Sequence, residues 1–128
     1  MQDRPTALEL IEALGDFMRD RASNARDRWE RFQFQVAANS LGIIARELEL
    51  GDGFMREEWR GLDELIGRED PPPEQAAFVS RLRARNEELS ERIRRGEFDG
   101  GDAEAALMRH IWKTVVDKAA IASPNEKP

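Results

Sequence analysis

The sequence predicts an all-α protein, a single-domain bundle of about five helices around a central helix at residues 29–50. Two observations carry that reading. Apolar residues recur at steps of three and four along most of the chain, while no segment alternates as a strand does. The stretch from Trp29 to Leu50 is also apolar over an unusually wide arc. At about 100° per residue, Phe32, Val36, Ile43 and Leu50 share one flank, and Phe34, Ala37, Leu41, Ile44 and Leu48 another. A helix with two such flanks needs cover on both sides.

The first helix is expected to begin at Pro5 or Thr6, because Thr6 and Glu9 have the spacing of a capping box. Ala7, Leu10, Ile11, Leu14, Phe17 and Met18 form its apolar face, which ends near Arg21. Ser23 and Asn24 read as a turn into the central helix, and Gly51 as its stop. Asp52 then caps a third helix to about Ile66, with Met55, Trp59, Leu62, Leu65 and Ile66 turned inward and Gly67 as terminator. The run Arg68 to Pro73 carries three prolines and is a stiff connector.

A fourth helix spans about Glu74 to Arg95. Val79, Leu82, Asn86, Leu89 and Ile93 form a narrow seam, with Asn86 where a polar residue can fix register. The seam packs against the protein's own helices or forms a dimer interface. Arg81, Arg83, Arg85, Arg92, Arg94 and Arg95, interleaved with Glu87, Glu88 and Glu91, read as a solvated charged face. Gly96 stops this helix, and Phe98 plugs the bundle end. Asp102 caps a fifth helix, Ala103 to about Ala122, whose inward face is Leu107, Met108, Ile111, Trp112, Val115 and Ala119. The bundle is expected over residues 1–122, with 123–128 as a flexible tail.

Composition narrows the function classes. The 128 residues fit one domain, and 36% charged content with 40% apolar suits a helix-rich soluble protein. A net charge of −6 argues against non-specific binding to nucleic acid or an anionic membrane. With no cysteine, disulfides, thiolate catalysis and cysteine-based zinc sites are excluded. The N-terminus has no signal-peptide pattern, and no apolar run approaches the about 18 residues of a membrane span. A cytoplasmic location is the expectation.

The search for chemistry yields little. His110 is the single histidine, and Leu107 stands where a Glu-x-x-His metal pair needs a carboxylate. It is expected at the surface or boundary of its helix. No metal or other cofactor is expected. Gln33, Ser40 and Glu47 are seven apart and line up between the two apolar flanks, with Asn39 at one edge. Buried polar groups need partners. These four side chains are therefore either satisfied by neighbouring helices and water, or they line a small ligand pocket in which Glu47 is the candidate acid or base.

Four strings add a further indication: QDRPTALEL from Gln2, VAANSLGIIARELELG from Val36, RNEELSERIRRGEFD from Arg85 and VVDKAAIASPN from Val115. Together they resemble a family of small bacterial helical proteins of unknown function. The resemblance implies genes beside acyl-CoA dehydrogenases and aminoglycoside-phosphotransferase-like kinases, and so an accessory role in acyl-CoA or related small-molecule metabolism. It implies no catalytic residues. After Pro124 and Asn125 this chain turns charged, where the family's usual ending is aromatic. The expectation is an accessory interaction module, with a small-molecule binder or weak enzyme as the alternative. A metabolic enzyme of these kinds and a second copy of the chain are the expected partners.

Overall fold

The computed structural model describes residues 3–125; Glu126 to Pro128, within the expected tail, lie outside the described residues. Among the described residues there are four helices: α1 (Ala7–Ser23), α2 (Arg28–Ile66), α3 (Gln75–Arg94) and α4 (Gly101–Ala122). By its contacts the chain divides into two compact units. One holds residues up to Asp52 together with Ile121–Asn125, and the other holds Gly53–Ala120.

Helix α1 starts as its sequence dictates. Thr6 Oγ1 accepts from the Glu9 amide at 3.2 Å and the Glu9 carboxylate accepts from the Thr6 amide at 2.7 Å, a complete capping box. Such a cap contributes about 1 kcal/mol. Asp27 opens α2 in the same way, its carboxylate accepting from the Glu30 amide at 2.8 Å.

The count of helices differs from expectation because α2 does not stop at Gly51. It runs unbroken for 39 residues, and neither Gly51 nor Gly53 has a positive φ. Leu41, Leu48, Met55 and Leu62 are each seven apart, so the apolar phase is the same on both sides of the glycine pair. Continuing the helix keeps these residues on one face. Breaking it would lose that alignment and several backbone hydrogen bonds, against a helix cost of about 1 kcal/mol per glycine. Gly67 and Gly96 do end their helices, with φ of 105° and 79°. These are left-handed values that other residues resist.

In the first unit, the buried hydrophobic side chains among the described residues are Ala22 and Ala38. Arg21 lies 5.6 Å over the Phe34 ring, joining α1 to α2, and Arg46 Nε donates to the Ile121 carbonyl at 2.6 Å. The cover over α2 is narrower than either expected flank: Leu50 of the first is half-buried, and Ile44 and Leu48 of the second are exposed. Phe34, Ala37, Ala38, Leu41 and Ala45 are buried or half-buried, while Trp29, Phe32, Val36, Ile43, Ile44 and Leu48 are exposed. The expected sandwich around residues 29–50 is therefore corrected. The described residues supply one cover, not two.

The second unit has a true core of Trp59, Leu62, Phe78, Leu82, Leu89, Phe98 and Leu107, with Met55, Leu65 and Ile66 packed against it. Trp59 and Phe78 stack with ring centroids 5.2 Å apart, and Phe98 fills the place expected of it. The core stripe of α3 is Phe78, Leu82, Arg85 and Leu89. Arg85 thus departs from the solvated face: its side chain is 1% exposed. Its guanidinium lies 4.4 Å over the Trp59 ring and donates to Asp63 Oδ1 at 2.9 Å and to the Gly67 carbonyl at 2.7 Å. Trp59 Nε1 donates to the Glu69 carbonyl at 2.9 Å, and Arg81 grips the Glu69 carboxylate with two bonds of 2.6 and 2.7 Å. That grip holds the Glu69 carboxyl below the usual carboxylate range, against the opposing effect of its burial.

Arg85→Ala removes a buried cation, its stacking on Trp59 and a carbonyl's donor, and leaves the Asp63 carboxylate with the Glu69 amide, 3.2 Å away, as its remaining donor. We expect a loss of about 3 kcal/mol, read as a lower urea midpoint at unchanged slope. A variant as stable as wild type would mean that Arg85 does not organise this unit.

Candidate functional site

The four candidate ligand residues lie on the open side of α2. Gln33, Asn39, Ser40 and Glu47 are all exposed, because no second cover lies over their side of α2 among the described residues. Ser40 Oγ donates to the Val36 carbonyl at 2.9 Å. Asn39 lines an open groove of about 550 Å³ with Arg19, Ser23, Arg31 and Gln35.

The α3 seam divides. Leu82 and Leu89 enter the core, and Asn86 Nδ2 donates to Glu58 Oε1 at 2.8 Å and to the Leu82 carbonyl at 3.2 Å. Val79 and Ile93 stay exposed. Within the second unit, Asn86 thus registers α3 against α2.

A cleft that sequence reasoning missed lies between α2 and α4 of the second unit. It encloses about 300 Å³ and is lined by Glu58, Gly61, Glu64, Arg109, His110 and Thr114, among others. Two features build it. Leu107 is buried and its neighbours Met108, Ile111, Trp112 and Val115 are exposed, so α4 is rotated from the expected inward face and His110 turns toward α2. Gly61 makes room for the ring: a Cβ there would stand 2.2 Å from His110 Nδ1. A glycine inside a helix is the one sequence signal that pointed to close packing here.

Burial pushes the His110 imidazole below its ordinary value, opposed by Glu58 and Glu64 and reinforced by Lys118. At neutral pH the ring is uncharged, with one nitrogen able to accept and the other to donate. The cleft also holds ion pairs, Arg60 with Glu57 and Lys113 with Asp117. Among the described residues, no three His, Asp or Glu side chains gather as a metal's ligands would. No helix there is long and apolar enough to cross a membrane.

Two outcomes follow. Gly61→Ala gains about 1 kcal/mol of helix propensity but drives a methyl into the imidazole, a clash of about 1–3 kcal/mol. We expect net destabilisation in wild type and stabilisation in a His110→Ala background, and additive effects would contradict the contact. Separately, a depressed histidine binds its proton more readily unfolded than folded. Stability should therefore fall as pH drops through the ordinary histidine range, and denaturant titrations should show a flatter profile for His110→Asn.

Comparison with known proteins places the chain in a family. Residues 24–126 match the model of a domain of unknown function, DUF6285, and the chain belongs to that family. The match covers α2, α3 and α4, with α1 outside it. No curated protein and no solved structure matches the chain.

Proposed function

We propose that this DUF6285 chain is a helical interaction module that serves as an accessory to a metabolic enzyme, docking through the exposed apolar side of α4. The observation behind this reading is the stripe of Met108, Ile111, Trp112 and Val115, all exposed, with Trp112 at 58%. A large aromatic left in water at the centre of an apolar stripe is an interface feature, since tryptophan dominates the energetics of protein contacts. The exposed Arg109 lies beside the stripe and favours a partner whose groove has an acidic rim. The resemblance noted in the sequence suggests an enzyme of acyl-CoA or related small-molecule metabolism, an acyl-CoA dehydrogenase or a phosphotransferase-like kinase.

The immobilised chain should capture such an enzyme from a purified preparation, and Trp112→Glu should weaken capture at least tenfold with helicity unchanged. Capture of neither enzyme by the wild type would overturn the reading.

The His110 cleft favours a second reading, a small-molecule binder. A half-buried neutral imidazole in a concave site of this size is a common ligand feature. Acyl-CoA or phosphorylated metabolites should then raise the melting temperature, and His110→Ala should abolish the rise. The absence of any shift across the panel would remove this reading.

A further inference from the structure

We infer that the chain pairs with a second copy of itself through the uncovered side of α2, the two helices antiparallel about a two-fold axis at Ser40. This goes beyond the accessory role, which concerns α4, and stands independently of it.

The first observation is a shortage of cover. Among the described residues, alanines are the buried hydrophobic side chains of the first unit, while six large apolar residues of α2 between Trp29 and Leu48 are exposed. A unit of this size buries too little within itself to be stable alone, and association is a usual remedy.

The second observation is the symmetry of the exposed side. In two antiparallel helices related by an axis through Ser40, each residue meets the one equally far from Ser40 on the other side. Val36 and Ile44, each four residues away, are 46% and 45% exposed. Phe32 and Leu48, each eight away, are 53% and 52% exposed. Val36 therefore meets Ile44 of the second copy, with Phe32 and Leu48 at the edges of the contact, and both members of each pair are equally bare. This is the self-complementarity that a two-fold interface requires.

The polar line has the same symmetry. Gln33 and Glu47 each lie seven residues from Ser40. The Gln33 amide of one copy comes opposite the Glu47 carboxylate of the other, and the bond is made twice. The small Ser40 faces its own counterpart at the axis. A parallel, in-register pair would instead set Glu47 against Glu47, a like-charge contact. Antiparallel pairing is the arrangement these charges select.

The ends agree as well. Trp29 and Gly51 are each eleven residues from Ser40. A Cβ at Gly51 would lie 2.7 Å from Glu47 Oε1, so the missing side chain lets Glu47 lie close to the helix over the buried Gly51, where the indole of the second copy meets it. This gives the mid-helix glycine a purpose. The segment from Trp29 to Gly51 runs about 33 Å, enough for an interface on the order of 800 Å² per copy.

Light scattering should give twice the chain's 14.7 kDa, and Val36→Glu should weaken the dimer at least tenfold. The absence of natural cysteine allows a direct test of register. Ser40→Cys should form a disulfide-linked dimer on mild oxidation. Gln33→Cys should not, because its two copies would lie about 21 Å apart along the axis, whereas Gln33→Cys mixed with Glu47→Cys should cross-link. A monomeric wild type at high micromolar concentration overturns the inference, and so does self-cross-linking of Gln33→Cys as fast as Ser40→Cys. A monomer that still captures an enzyme through α4 would sink this inference alone.

Discussion

The apolar arc of α2 constrains everything built on it. Heptad spacing from Leu41 through Leu48 and Met55 to Leu62 holds a 39-residue helix in one phase, so a hydrophobic surface is presented along its whole length. The second unit meets this with α3 and α4, burying Trp59 and Leu62 among Phe78, Leu82, Leu89, Phe98 and Leu107. The first unit brings α1 to one flank only. The same helix is thus complete in one half and incomplete in the other.

The complete half is organised by a charge where aliphatic packing would be usual. Arg85 occupies a core position of α3 and engages a ring, a carboxylate and a backbone carbonyl. Its value lies in direction: a buried guanidinium accepts few alternative arrangements, so it fixes how α3 meets α2 and where the chain leaves Gly67. Glu69, held by Arg81 and receiving Trp59 Nε1 at its carbonyl, ties the proline connector to the same spot. Removing such a cation leaves uncompensated polar groups, although a well-packed apolar replacement of both partners can cost little.

Much of this was readable from residues. The Thr6–Glu9 cap, the terminators Gly67 and Gly96, the core place of Phe98 and the all-helical class each follow from local chemistry. Other features were not local. Gly51 looked like a stop because glycine permits a left-handed turn, but permission is not demand, and the heptad phase decided the matter. Arg85 looked solvated because its neighbours are charged; its 4-3-4 spacing with Phe78, Leu82 and Leu89 was the overlooked signal. The rotation of α4, which buries Leu107 and leaves Trp112 bare, depends on which of two apolar sides finds a neighbour. A sequence can show that a flank is apolar, but not which chain covers it. For that reason Gln33, Ser40 and Glu47, expected between two covered flanks, stand exposed among the described residues.

One asymmetry underlies the proposed pairing, a second unit with a buried core and a first unit whose large apolar residues on α2 are exposed. Amide hydrogen exchange followed as a function of protein concentration measures it directly, because protection that depends on association rises by mass action and protection within a chain does not. The account predicts that exchange in α1 and in α2 from Arg28 to Asp52 slows as concentration increases, while that of Trp59, Leu62 and the core of α3 stays constant. Equal, concentration-independent protection in both halves of α2 would contradict it.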